Sequence, residues 1–176
     1  MPEKKKSRGT GIFMENIITR NIVLPFNLMG NNIAELILDS IKEKFEKKCV
    51  TEGYIKENSI RLVNYSSGTL NGSNIRFNVN FTCLICRPVE GMLLKVIVKN
   101  ITKAGLKCET KVSPSPVIAF IARDHHNKSK DFANVQLEDE ISVRVVGIRY
   151  ELNDEYIALI GELMVNARRN HPKQHP

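Results

Sequence analysis

Two pairs of residues in this sequence have side chains that can bind a metal or transfer protons. Cys83 and Cys86 form a Cys-x-x-Cys pair, and His125 and His126 are adjacent. Two thiolates converge on zinc when a turn lies between them. Residues 80–86 instead alternate like a strand, in which positions three apart point to opposite faces. We therefore expect half-buried cysteines and solvated histidines, and no metal site.

The sequence contains no recognisable set of nucleophile, base and orienting residue. It has no glycine-rich phosphate loop, no Gly-x-Ser-x-Gly motif and no pair of carboxylates in an apolar setting. No helix start follows Cys86 to lower a thiol pKa, as a redox pair requires. We expect no catalytic residue and no cofactor, and a protein that is not itself an enzyme.

A third pattern places lysines on two predicted strands, residues 92–101 and 105–112. Their even positions are mostly apolar, whereas the odd positions include Lys95 and Lys99 in the first strand and Lys107 and Lys111 in the second. A loop of residues 102–104, with Gly105 in a left-handed conformation, would pair Lys99 with Lys107 and Lys95 with Lys111. We call these four residues the lysine face.

Like charges in opposite positions of a sheet repel each other, so the lysine face would be stabilised by a bound anion. The alternative is that strand twist separates four solvated lysines. Aromatic platforms for stacking bases are sparse, since Trp is absent and Phe120 is the sole aromatic residue in these two strands and the next. We expect weak contact with the phosphates of single-stranded RNA, through Lys95, Lys99, Lys107, Lys111 and Arg123.

Net charge is unevenly distributed along the 176 residues. The chain carries +7, and basic residues are concentrated in segments 1–11 and 166–176, so the intervening part is nearly neutral. We predict two basic flexible tails, which either aid solubility or contact phosphates loosely. The N-terminus lacks an apolar region, which argues against a secretory signal, and four cysteines without such a signal fit a reducing compartment.

Hydrophobic periodicity predicts an α+β fold in two parts. Residues 12–88 show a strand, a helix that starts after Asn32, and two further strands, which makes a small β-α-β-β domain. Residues 89–165 contain five short strand patterns with one long polar connection after the third. This spacing favours a five-stranded OB-type β-barrel, with a small sandwich as the competing fold.

The loop between the first strand and the helix carries unusual apolar side chains. Phe26, Leu28 and Met29 lie between Pro25 and Gly30, in a connection that would normally run over the surface. Either they fold back over the start of the helix as a hydrophobic staple, or a partner covers them.

The order of these parts resembles the larger stalk subunit of multisubunit RNA polymerases, the family that includes subunit seven of eukaryotic RNA polymerase II and the archaeal stalk protein E-prime. The resemblance spans roughly residues 12–165. It is most specific at Gly72-Ser73, at Arg76-Phe77-Asn78-Val79-x-Phe81 and at Arg87-Pro88-x-x-Gly91. Weaker matches are Pro25, Gly30, Gly53-Tyr54-Ile55 and Ile160-Gly161-Glu162-Leu163. The sequence departs from the family after Gly91, where family members often have an acidic residue and a further glycine and this chain has Met92-Leu93-Leu94-Lys95. The segment after Tyr54 is also shorter.

The resemblance implies a non-catalytic transcription subunit with an N-terminal tip domain and an OB domain that faces emerging RNA. Implied partners are the large polymerase subunits and a smaller, subunit four-like stalk protein. The implied docking residues are Pro25, Phe26, Leu28, Met29, Gly30, Gly53 and Tyr54.

The composition, rich in Lys, Asn and Ile, looks like that of a large DNA virus. The protein would then be found with its polymerase, in the nucleus or in the virion and host cytoplasm. The competing hypothesis is a free OB-type RNA-binding factor of translation or RNA decay, which would need no docking domain.

Overall fold

A computed structural model describes residues 11–30, 32–126 and 130–164. The predicted tails, residues 1–11 and 166–176, lie outside the described residues apart from Gly11. Contacts divide the chain into two units. Unit 1 contains the chain up to Arg87 together with Tyr150–Ile157, and unit 2 contains Pro88–Arg149 and the residues from Ala158 onward. The predicted domain boundaries stay predictions.

Unit 1 is an antiparallel sheet with one helix. Strand β6 is its centre and pairs with β1 along its whole length, from Phe13 opposite Cys86 to Pro25 opposite Asn74. Strands β3, β4 and β5 share the other edge of β6, and β2 pairs with β3. The elements of unit 1 are β1 (Phe13–Pro25), α1 (Ile33–Phe45), β2 (Cys49–Val50), β3 (Gly53–Ile55), β4 (Arg61–Tyr65), β5 (Thr69–Asn71) and β6 (Asn74–Cys86).

Helix α1 forms because apolar residues recur every three or four positions, and its buried residues are Ile37 and Ile41. They join the apolar inner face of the sheet in one core, which includes Ile18, Ile22 and Phe81. The predicted β-α-β-β order is confirmed. The short strands β2, β3 and β5 were not predicted, because two or three residues are too few to show a period.

Unit 2 contains a closed five-stranded barrel in the order β7-β8-β9-β11-β10, with β10 paired back to β7. Alternate residues of each strand are buried, as in Leu94, Val96 and Val98 of β7. The predicted OB-type barrel is confirmed. Its strands are β7 (Leu93–Ile101), β8 (Gly105–Glu109), β9 (Val117–Ala122), β10 (Glu140–Arg149) and β11 (Ile157–Met164).

The polar connection after β9 contains a 3-10 turn, Asp124–His126, and the short helix α2 (Lys130–Ala133). His126 was expected to be solvated, and this expectation was wrong, since the side chain is buried. Its Nε2 accepts the backbone N–H of Leu163 at 3.0 Å, so Nδ1 must carry the proton, which it donates to the Ala122 carbonyl at 2.9 Å. The ring also stacks on Phe132, with centroids 5.2 Å apart.

No helix within the described residues is both long and apolar enough to cross a membrane.

Candidate docking loop and RNA-contact face

The docking loop, residues 25–30, exposes two of its three large apolar side chains. The Phe26 amide donates to the Ser73 carbonyl at 2.9 Å, and Phe26–Leu28 then form a 3-10 turn closed by a bond from the Met29 amide to the Phe26 carbonyl at 3.1 Å. Phe26 is 58% exposed and Leu28 52%, whereas Met29 packs against the core of unit 1. The staple alternative therefore does not describe Phe26 or Leu28.

Leu70 is a further exposed residue at this end of unit 1, and the sequence analysis missed it. It is 70% exposed, on the short strand β5. The tight Gly72-Ser73 turn leads from β5 into β6, and Leu70 lines one groove with Phe26 and this turn. The available signal was a leucine between two polar residues next to a glycine turn, which is too common a pattern to single out.

Gly53 and Tyr54 were predicted to dock, but both are buried. A Cβ atom on Gly53, whose φ is +136°, would lie 2.5 Å from the Cys86 carbonyl oxygen. Tyr54 lies between Cys49 and Cys86 in neighbouring strands, and burial is the main cause that raises its pKa. These two residues shape the sheet of unit 1 and are not positioned to touch a partner directly.

The register of β7 and β8 differs from the prediction. Val98 lies opposite Cys108, but Asn100 lies opposite Lys107, because Lys99 forms a bulge. Without the bulge the polar Asn100 would continue the alternation that buries Val96 and Val98, so the extra residue carries Asn100 to the surface. The predicted opposition of Lys99 and Lys107 was therefore wrong.

The predicted opposition of Lys95 and Lys111 was also wrong. Strand β8 ends at Glu109, before Lys111, and Lys95 lies opposite Ser142 of β10. Gly105 does have the expected positive φ, at +155°. Its backbone passes so close to β9 that a Cβ atom would lie 2.1 Å from the Ile121 carbonyl oxygen.

Two of the lysines form ion pairs with glutamates around the start of β10. The Lys99 ammonium contacts both carboxylate oxygens of Glu138, at 3.0 and 2.8 Å, and Lys111 contacts Glu140 at 2.6 Å. The bond from Lys111 lowers the pKa of Glu140, and the charge of Lys95 lowers it further. No local sequence pattern predicts these pairs, because the glutamates come from a distant segment.

Lys107 has a different neighbour. It lies opposite Phe120 of β9, and that aromatic side chain is 44% exposed. An exposed aromatic ring beside a cation can stack a base and contact a phosphate in the same place. This pair is therefore the part of the lysine face with the composition best suited to single-stranded RNA.

Arg123 is engaged in holding the β7–β8 loop. Its guanidinium donates to the carbonyls of Lys103, at 3.0 Å, and Thr102, at 3.2 Å, and lies 5.3 Å from the centre of the Phe132 ring. A guanidinium has five N–H donors, so Arg123 keeps hydrogen-bonding capacity, but its first role is to fix the loop beside Lys107.

Cys83 and Cys86 are fully buried on β6, not half-buried as expected. The end of β6 is covered on both edges, since Cys86 lies opposite Phe13 on one side and Tyr54 on the other. Burial raises the pKa of both thiols to about 12. The described residues contain no group of three or more His, Cys, Asp or Glu side chains placed to hold a metal ion.

Comparison with known proteins gives one consistent result. No protein-family model matches the chain. The chain is 24% identical over 169 residues to RNA polymerase subunit L376 of Acanthamoeba polyphaga mimivirus, covering 87% of this chain and 82% of that protein. It is 19% identical over 176 residues to RNA polymerase II subunit RPB7 of Glycine max and to subunit 7 of Arabidopsis thaliana, covering 86% of this chain and 98% of each relative. Similarity of this extent includes residues of both units.

Proposed function

We propose that this chain, an RPB7-like subunit of an RNA polymerase, is a non-catalytic stalk subunit that docks through unit 1 and contacts nascent RNA through unit 2. The observation that carries the proposal is the similarity to three RNA polymerase subunits over 86 to 87% of the chain. The mimivirus relative supports a large DNA virus as the source. The protein then resides wherever its polymerase is active.

Docking is assigned to the loop of residues 25–30, with Leu70 added to it. Phe26, Leu28 and Leu70 are all more than half exposed, and Phe26 and Leu70 line one groove. Exposed apolar patches mark interaction surfaces. Buried aromatic and aliphatic anchors supply most of the affinity at interface centres. The proposed docking residues are Pro25, Phe26, Leu28, Met29, Gly30 and Leu70. Gly53 and Tyr54 lie at the other end of β6, beside Cys86, whereas Pro25 pairs with Asn74.

The docking assignment is tested by affinity purification of the tagged protein from its native source. The wild-type protein should bring down two very large subunits, and any smaller, subunit four-like partner will appear in the same sample. Phe26→Ser combined with Leu28→Ser should keep the circular dichroism spectrum and lose most of the large subunits. Leu93→Ser, on an equally exposed leucine of the barrel, is the matched control. Normal assembly of the double variant would place docking elsewhere.

RNA contact is assigned to Lys95, Lys99, Lys107, Lys111 and Arg123, with Phe120 beside Lys107. Binding led by phosphates weakens with salt, at a slope of about −0.7 per phosphate contacted on single strands. Changing the four lysines to glutamine should weaken binding to all RNA sequences alike in a filter or anisotropy assay. Unchanged affinity would exclude this face as the RNA site.

The purified chain should not transfer or hydrolyse nucleotides, because we find no catalytic constellation in its sequence. An activity that follows the pure protein and disappears with a point mutation would refute this part of the proposal.

A further inference from the structure

The segment that leads into β10 places two carboxylates on the lysine face. Glu138 contacts Lys99 through both of its oxygens, at 3.0 and 2.8 Å, and Glu140 contacts Lys111 at 2.6 Å. We call Glu138 and Glu140 the acidic strap. Half of the four lysines proposed to bind RNA thus already have an anionic partner within the same unit.

The backbone of the acidic strap is fixed against β7. The Glu138 amide donates to the Val98 carbonyl at 2.8 Å, and the Val98 amide donates to the Asp139 carbonyl at 3.0 Å. The Asp139 carboxylate in turn accepts the Gln136 amide at 2.8 Å. These bonds hold the Glu138 side chain next to the bulge at Lys99.

Glu138 also adopts a backbone conformation that glutamate rarely takes, with φ at +65°. Non-glycine residues in this region carry a conformational cost and are held there by the surrounding structure. The contacts that hold the strap over Lys99 therefore also hold Glu138 in this conformation, which the backbone of a glutamate does not favour by itself.

The chemistry of the strap resembles that of the proposed ligand. A carboxylate and a phosphate diester both present anionic oxygens that accept hydrogen bonds from an ammonium group. A phosphate that approaches Lys99 or Lys111 therefore competes with a carboxylate for the same ammonium group. Side chains of both pairs remain well exposed to water, at 66% for Glu138 and 62% for Lys111, and exposed pairs of this kind are weak enough to exchange.

We propose that the acidic strap is an internal competitor for RNA phosphates, which keeps the affinity of the lysine face low and its RNA contacts short-lived. The inference rests on the proposed RNA contact at that face. In the resting protein Lys95 and Lys107 are the lysines that engage phosphate first, and Lys107 lies opposite Phe120. Lys99 and Lys111 join only when RNA has displaced Glu138 and Glu140.

The test uses the full-length chain with Glu138→Gln and Glu140→Gln, which keep the side-chain shape and remove the charge. Affinity for a single-stranded oligonucleotide should rise about 3- to 10-fold at low salt. The slope of log affinity against log salt should become steeper by up to about 1.4, since two more phosphates are contacted. Circular dichroism should show an unchanged fold.

Two comparisons separate local competition from a general charge effect. Glu43→Gln with Glu90→Gln changes the net charge by the same amount at exposed positions, and should leave affinity and slope nearly unchanged. In a background of Lys99→Gln and Lys111→Gln, the strap variants should give no gain, because the released lysines are absent.

The outcomes distinguish the inference from the function on which it rests. If the four-lysine variant weakens RNA binding but the strap variants change nothing, the lysine face binds RNA and the competitor is refuted. If the lysine variants also change nothing, the RNA assignment itself fails, and the inference fails with it. If the Glu43 and Glu90 control raises RNA affinity by the same factor as the strap variants, the net charge of the protein explains the effect and the proposal is overturned.

Discussion

The two surfaces proposed for docking and for RNA contact differ in whether their exposed side chains already have a partner within the chain. In the docking loop Phe26 and Leu28, and on β5 Leu70, are neutral, apolar and open to solvent, so a partner that covers them would remove apolar surface from water. On the lysine face Lys99 and Lys111 already have carboxylate partners. The first arrangement suits stable assembly, whereas the second suits contacts that form and release as RNA moves past.

The largest expected effect comes from glycines that each unit needs in its sheet. Gly105→Ala places a Cβ atom 2.1 Å from a carbonyl of β9, and Gly53→Ala places one 2.5 Å from a carbonyl of β6. Each should lower the free energy of unfolding by about 3 kcal/mol, since the positive φ adds strain to the clash. Thermal denaturation measures the loss, and Gly30→Ala, with open space around its Cβ position, is the control.

Hydrogen exchange adds a spatial readout to the same variants. Gly105→Ala should reduce protection mainly in β8 and β9, and Gly53→Ala mainly in β3 and β6. Equal loss of protection in both units from either variant would contradict their treatment as separate regions.

The next largest effect concerns two leucines with similar exposure. Leu70 of unit 1 is 70% exposed and Leu93 of unit 2 is 61% exposed. Leu70→Ser should reduce recovery of the polymerase at least about tenfold if it is an interface anchor, whereas Leu93→Ser should leave recovery unchanged. Quantitative mass spectrometry of the purified complex measures the ratio of the large subunits to this protein. Equal losses from both variants would show that the exposure of the leucine, and not its position, determines the effect on assembly.

Salt should affect the two surfaces differently. If Lys95 and Lys107 contact two phosphates, raising salt from about 50 to about 200 mM should weaken RNA binding about sevenfold. Retention of the large subunits, which the proposed docking assigns to apolar contacts, should hardly change over the same range. Anisotropy and co-purification measure the two responses, and salt-sensitive assembly would indicate that charges also contribute to docking.

At neutral pH the smallest effect concerns the buried thiols, and it grows as pH rises above about 8.5. Burial raises the pKa of Cys49, Cys83, Cys86 and Cys108 to about 12, while a thiol in an unfolded chain has a pKa of about 8.5. Between these values the unfolded state loses protons that the folded state keeps, so the free energy of unfolding falls as pH rises above about 8.5.

Three of the four cysteines lie in unit 1, so the alkaline loss should be larger there. Alkylation followed by mass spectrometry should label all four slowly at pH 8 and rapidly after denaturation. Fast labelling of Cys108 alone at pH 8 would show that unit 2 opens more easily than unit 1, which is the opposite of the expected result.

The order of the longer strands and of helix α1 was predictable from the sequence, whereas the short elements β2, β3, β5 and α2 were not. Strands and the helix appear as periods of two and of 3.6, and these periods are local because the core selects apolar side chains on one face. Gly105 was also predictable as the left-handed residue after the β7–β8 loop. The rule that connections run over the surface predicted the position of the docking loop, but it left open whether Phe26 and Leu28 fold back over the helix.

The partners of the charged and polar side chains, in contrast, depend on the tertiary structure. The bulge at Lys99 removed the predicted lysine pair, and Glu138 and Glu140 supplied partners from a later segment. His126 is buried because the end of β11 and Phe132 surround it. The same holds for backbone groups, since the Cys49 amide donates to the carbonyl oxygen of Asp154, more than a hundred residues later. Such contacts depend on the distance between segments that are remote in sequence. A hydrogen bond or ion pair forms only where folding brings two groups within about 3 Å, and no local period records that distance.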